Sequence, residues 1–235
     1  QHVADYAGYA LSGLSVISLV GMFVLTGIVK TSGLDHAQTR LPNPLHAVRR
    51  FMTQPRLRLS WLLAFGRNGW WLTYFIYAPI YARQSGYGAE VGGFIVTLGM
   101  LPLLLARVWA RLARRFSMRK LMMLAYGGTA ALSIVAALLA LLGPPVACLV
   151  MLGLPAFVPT VIDGGGNVPF LRAVRPLERP AMTSVFMTFR HVGPIIMPGI
   201  MTVALWFLPL PFVFVISGLL TLIMAILALY LPRGM

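Results

Sequence analysis

The chain has one cysteine, Cys148, and only five acidic residues among 235. A single thiol excludes an internal disulfide framework, and its place in an apolar run makes it a packing residue. Asp5, Asp35, Glu90, Asp163 and Glu178 are too dispersed for any two to work as a carboxylate pair. His2, His36, His46 and His191 are equally scattered and have no metal-ligand spacing. The glycine run at 164–166 is followed by no Lys-Ser/Thr and preceded by no strand pattern, which excludes a phosphate loop. No nucleophile, metal or cofactor constellation remains, so neither an enzyme nor a bound cofactor is expected.

Apolar residues are abundant: 59% of the chain is hydrophobic and 10% charged, the composition of a protein solvated by lipid. Apolar runs occupy 7–29, 61–82, 91–110, 121–142, 146–169, 181–206 and 212–231. Each approaches the ~20 residues that a helix needs to span ~30 Å of hydrocarbon, whereas barrel strands would alternate over ~10 residues. The expectation is an all-α membrane protein with seven transmembrane helices.

Lys and Arg crowd into alternate gaps between these runs. Lys30, Arg40, Arg49, Arg50, Arg56 and Arg58 fill the first, and Arg107, Arg111, Arg114, Arg115, Arg119 and Lys120 the third. Arg172, Arg175 and Arg179 fill the fifth, and Arg233 follows the last run. The intervening gaps hold Arg83 offset by Glu90, then Gly143-Pro144-Pro145, then Pro209-Leu210-Pro211. The positive-inside bias therefore puts the basic gaps and the C-terminus in the cytoplasm, in a membrane such as the bacterial inner membrane. This topology also accounts for the net charge of +14 without nucleic acid as a partner.

The segments divide into 1–30, one helix; 31–60, a linker; and 61–235, a six-helix block. Pro42, Pro44 and Pro55 mark the linker, and Leu45, Val48, Phe51 and Met52 could share one face of a short interfacial helix around 45–53. A plain solvated loop is the alternative. The chain starts at Gln1, and its first apolar run lacks a basic leader and a small-residue cleavage site, so a fragment is expected. A seven-helix receptor fits poorly with outer loops this short and no cysteine pair. A retinal protein is excluded by the absence of Lys from 212–231.

The loop Ala110-Arg111-Leu112-Ala113-Arg114-Arg115-Phe116-Ser117-Met118-Arg119-Lys120-Leu121 resembles the signature of the major facilitator superfamily, G-x-L-A-D-R-x-G-R-R. Leu112, Ala113, Arg115 and Arg119 match; Ala110 and Ser117 replace glycine, and Arg114 replaces the carboxylate that helps latch the family's inward gate. The resemblance implies the C-terminal half of such a transporter: its sixth helix, the central cytoplasmic linker and the second six-helix bundle. The missing N-terminal half would be this chain's partner, along with membrane lipid, a small solute and protons. In that fold the helices at 7–29, 121–142 and 212–231 would be peripheral, and these carry no Asp, Glu, Lys, Arg or His.

Intramembrane charge is confined to three runs that the resemblance puts beside the central cavity. Arg67, Asp163 and Arg190, with His191 beside it, are those groups. A charge at mid-bilayer costs at least ~2.5–3.5 kcal/mol, which makes each a candidate site. Arg67 and Asp163 would lie roughly 9–10 Å, and Arg190 about 14 Å, from the cytoplasmic helix ends, near enough to share one cavity. Asp163 could pair with Arg67 or Arg190, either as a proton-sensitive coupling pair or as a permanent salt bridge. Asn68, Trp71, Tyr74 and Asn167 complete the candidate solute site, with Trp70, Tyr74, Tyr77 and Tyr81 on one helical face. Tyr81 and Trp61 read as interfacial belt residues. Two cations against one carboxylate favour an anionic or zwitterionic solute. Gly164, Gly165 and Gly166, and Gly193, Pro194, Pro198 and Gly199, are candidate hinges. The resulting expectation is proton-coupled alternating-access transport, such as an antiporter or anionic-solute carrier. A non-transporting scaffold or sensor on the same fold is the alternative.

Overall fold

The computed structural model describes residues 44–105 and 117–232, with the isolated positions 20, 108 and 111. The chain divides into two compact units, Gln1–Leu41 and Pro42–Met235, and the second contains the elements below. Its regular structure is entirely helical among the described residues: α1 (Pro44–Thr53), α2 (Pro55–Gln84), α3 (Ala89–Met100), α4 (Met118–Leu142), α5 (Pro145–Gly165), α6 (Val168–Ala173), α7 (Arg179–Phe186), α8 (Phe189–Leu205) and α9 (Phe212–Ala228). Short 3-10 turns lie at Leu101–Leu105 and Pro176–Glu178.

Local sequence accounts for the ends. Pro55 and Pro145 occupy first-turn positions of α2 and α5, where a missing N–H costs nothing. Ser117 caps α4, its Oγ accepting from the Lys120 N–H at 3.4 Å. At the end of α2, Gly86 adopts φ +87, which side chains resist. The Tyr87 and Gly86 N–H groups then donate to the Ala82 and Arg83 carbonyls at 3.1 Å each, a Schellman closure that turns the chain into α3.

Over its described residues each apolar run from 61 onward is largely helical, and two runs are broken. The expected span 146–169 divides at Gly166-Asn167 between α5 and α6. The run 181–206 is not one helix: it breaks at Met187-Thr188, where the Arg190 and His191 N–H groups bond three residues back, to Met187 and Thr188, in a tightened 3-10 pattern. Pro194 and Pro198, expected at the bend, lie instead inside α8. The run 91–110 becomes α3 and the 3-10 turn over its described part. The helix expected at 7–29 lies outside the described residues, apart from Val20. The short helix expected around 45–53 is α1. Among the described residues, only α4 is both long and apolar enough to cross a membrane.

The thirty-residue α2 runs through the middle and packs on α3, α5, α6, α8 and α9, while α4 lies between α5 and α9. Trp70 ties α2 to α4, its Nε1 donating to Ser133 Oγ at 3.0 Å. One apolar cluster gathers Trp70, Tyr77 and Ala82 of α2 with Cys148 and Leu152 of α5 and Val213 of α9. A second joins Leu63 to Met122 and Tyr126 of α4 and Met224 of α9. A third joins Phe51 of α1 and Leu57 of α2 to Phe170, Phe186 and Phe189.

Small residues permit the closest approach. A Cβ on Gly218 of α9 would stand 2.8 Å from Ile134 Cγ1 and 3.1 Å from the Ala130 carbonyl oxygen of α4, whereas one on Gly93 of α3 would meet nothing within 4 Å. Gly218→Val is therefore expected to lower stability by about 1–3 kcal/mol through overpacking. Gly93→Ala should be neutral or gain up to about 1 kcal/mol from helix propensity. Unfolding of the purified protein measures both, and equal effects would contradict this packing.

Candidate functional site

The turn pattern of α2 places Arg67 and Trp71 four residues apart on one face, and both reach Asp163 near the end of α5. Arg67 Nε lies 3.2 Å from Asp163 Oδ1, and Trp71 Nε1 donates to Asp163 Oδ2 at 3.0 Å. The carboxylate therefore has a donor on each oxygen. The Arg67 side chain is 10% exposed and that of Asp163 is 26% exposed, so the pair is reached from the carboxylate side. Taking two charges from water costs several kcal/mol each, and such a pair survives only with good geometry and further hydrogen bonds.

One turn further along the chain is Asn167, at the Gly166-Asn167 break. Its Oδ1 is buried with no hydrogen-bond partner. An orphaned buried acceptor is costly and uncommon. The polar groups along this stretch are thus a cation, a carboxylate with some access, an indole and, one turn on, a buried acceptor. Gly164 and Gly165 finish α5 and Gly166 caps it, so the carboxylate sits on the last turn before the break.

Other expected site residues are placed differently. Arg190 and His191 are exposed on α8, and no ion pair of Arg190 occurs among the described residues. Arg67, Asp163 and Arg190 thus do not meet in one cluster: the partner of Asp163 is Arg67. The reason is local, because the break at 187–188 sets where the first turn of α8 faces. Tyr74 is 2% exposed, stacks on Trp70 with ring centroids 5.3 Å apart, and donates to the Ile95 carbonyl at 2.7 Å. Its hydroxyl is spent on packing α3 against α2 rather than offered to a solute. Asn68 Nδ2 donates to the Phe189 carbonyl at 3.5 Å, and a Cβ on Gly193 would come within 2.5 Å of that nitrogen, so these two residues join α2 to α8. Pro198 is half-buried and Gly199 open, with nothing within 4 Å of a Cβ there.

Of the loop that resembles the transporter signature, Leu112, Ala113 and Arg115 lie outside the described residues. Arg119 falls in the first turn of α4, where with Ser117 and Lys120 it lines a surface cleft. Tyr81, expected at an interface, is 6% exposed and packs edge-on against Phe214. Trp61 donates from Nε1 to Thr188 Oγ1 at 3.0 Å and lines an apolar groove with Phe51, Val185 and Leu62. Residue spacing did not reveal the ion pair Arg50–Glu178, at 2.9 Å, which fastens α1 to the chain reversal before α7. The only signal for it was that Glu178 stands alone among basic neighbours.

No family model matches this chain, and no curated protein or solved structure matches it either. Its site must be read from geometry.

The buried pair is directly testable by stability. Asp163→Asn leaves Arg67 without its countercharge and is expected to cost about 3 kcal/mol, less to the extent that water reaches the site. Adding Arg67→Met to that variant should restore at least about 1 kcal/mol, because neighbours in one ion pair are not additive. Trp71→Phe should cost about 1 kcal/mol through the lost donor. Unfolding in neutral detergent reads all of these, and strictly additive losses would contradict the pair.

Proposed function

We propose that this chain is the second bundle, with its preceding helix and linker, of a secondary-active transporter of major facilitator type, carrying a small solute in exchange or symport with protons. The observation that carries the proposal is the Arg67–Asp163 pair, one of two ion pairs among the described residues and the one held between two helices inside the bundle. An isolated charge in such a setting is costly enough to demand a role.

Membrane residence is supported by surface chemistry. Leu124 and Leu138 of α4, Val150 of α5, Leu219, Ile223 and Ile226 of α9, and Ile195 of α8 are all exposed. Apolar surface spread over so many helices suits lipid better than water. On this reading the basic gaps lie in the cytoplasm and the six runs from 61 onward span the bilayer, with some helices broken where protein or cavity water satisfies the backbone.

The geometry supports a coupling step. A proton on Asp163 removes the negative charge 3.2 Å from Arg67 Nε and so changes which arrangement of the guanidinium, with solute, protein or water, is preferred. The weak point beside it is the end of α5 at Gly164–Gly166, which can move without breaking a long helix. Asn167 Oδ1 offers the solute an acceptor. Alternating access needs only that the protonated and ionised pairs prefer different states, since a ligand shifts an equilibrium by its differential affinity.

One observation favours a second reading. Both Asp163 oxygens are already satisfied, as a permanent strut would have them, and a strut would suit a non-transporting scaffold or sensor on the same framework. Flux separates the two. Full-length protein in proteoliposomes, with its solute found by a counterflow screen, should show pH-driven uptake that falls about ten-fold or more in Asp163→Asn while solute exchange persists. Unchanged pH-driven uptake in that variant would sink the coupling role, and absence of any flux from a broad screen would favour the scaffold.

A further inference from the structure

The third basic cluster does more than a topological signal requires. Positive-inside orientation depends on how many Lys and Arg a loop holds, not on where their side chains converge. Yet Arg172, Arg175 and Arg179 all line one cleft of about 540 Å3, with Val168, Leu171 and Pro176 as its apolar part. The backbone makes this convergence. α6 ends at Ala173, Val174 and Arg175 are extended (ψ 133 and 143), and the 3-10 turn Pro176–Glu178 reverses the chain into α7 at Arg179. Arg179 Nη2 then donates back to the Leu171 carbonyl at 3.3 Å, so one end of the reversal is tied to the other.

No ion pair holds Arg172, Arg175 or Arg179 among the described residues, although Arg175 and Glu178 both line an adjoining cleft. Glu178 is held by Arg50 of α1 at 2.9 Å, and the other ion pair is the distant Arg67–Asp163. Three exposed guanidinium groups on one cleft repel one another unless an anion joins them. Their planar donor forks match the oxygens of a phosphate in bidentate fashion, which a lysine ammonium does not. The cleft, about 540 Å3 and open to solvent, has more room than a phosphate group alone needs. Leu171, 42% exposed, supplies apolar surface beside the cations.

We propose that this cleft binds the phosphate of an anionic membrane phospholipid, with Arg172, Arg175 and Arg179 on the phosphate oxygens and Leu171 and Val168 against the glycerol and first methylenes. The inference rests on the membrane reading above, which sets this reversal at the cytoplasmic face, where anionic headgroups meet basic pockets between helices. Bound lipid would brace the α6–α7 reversal next to the α5–α6 break and the Asn167 acceptor. It would thereby favour one position of the segment that carries Asp163.

The test exchanges all three residues for lysine, which preserves charge and hence orientation while removing the guanidinium forks. Full chain purified in neutral detergent is mixed with phosphatidylglycerol or phosphatidylcholine, and retained lipid is read by native mass spectrometry. The wild type should retain phosphatidylglycerol preferentially, and the triple Arg→Lys variant about five-fold less of it or lower. Equal retention by the two proteins, or equal retention of the two lipids by the wild type, overturns the proposal. Arginine modification by phenylglyoxal on the wild type needs no variant: phosphatidylglycerol vesicles should protect Arg172, Arg175 and Arg179. Equal protection by inorganic phosphate would assign the cleft to a soluble anion and overturn the lipid. Release of the wild-type chain from membranes by alkaline carbonate would instead contradict the membrane reading itself.

Discussion

Asp163 is held by two donors from the same face of α2, Arg67 and Trp71, and this attachment sets how the central helix meets α5. The packing around it is consistent with a site that must stay in register. Trp70, next to Trp71 and edge-on to it with ring centroids 5.1 Å apart, is fixed to Ser133 of α4. Tyr126 of α4 donates to the Leu63 carbonyl one turn before Arg67. The buried phenol thus finds its acceptor on a helix carbonyl. Four polar ties therefore bind α2 to α4 and α5 within three turns, and apolar clusters fill the space on either side.

At the basic end the arrangement is different. Phe51 of α1 is 2% exposed among Phe170, Phe186 and Phe189, and Arg50 reaches Glu178. The linker helix is thus clasped to the same reversal that carries Arg172, Arg175 and Arg179. Leu45 and Met52 of α1 remain exposed, at 77% and 57%, beside its basic side. Movement at the α5–α6 break would be felt by this clasp, because α6 contributes Phe170 to the cluster that holds α1. The carboxylates of the two ion pairs of the described residues, Asp163 and Glu178, thus lie on either side of the α5–α6 break in the chain.

Much of this was legible from residue order. Long apolar runs fixed the helices, since length and hydrophobicity decide a helix before any tertiary contact is known. Arg67 and Asp163 stood out because isolated charges in such runs demand partners. The choice between Arg67 and Arg190 as the partner was not legible. It depends on the facing of α8, and the 3-10 tightening at Met187-Thr188 that sets this facing has no proline or glycine to announce it. Tyr74 is a related case: a helical aromatic face looks alike in sequence whether it lines a cavity or packs a neighbouring helix, and its bond to the Ile95 carbonyl is visible only in the structure. Clustered arginines were read as topology, which counts charges and is blind to the reversal that gathers them.

The central claim is that Asp163 takes up a proton and in doing so releases Arg67. Infrared difference spectroscopy on acidifying the reconstituted protein measures this at the carboxyl group itself. The account predicts a protonated-carboxyl stretch that appears as pH falls, is absent from Asp163→Asn, and shifts in Trp71→Phe, because the indole no longer donates to the carboxylate. A band unchanged by Asp163→Asn, or no band across the pH range in which the protein stays folded, would mean that the pair is a fixed strut.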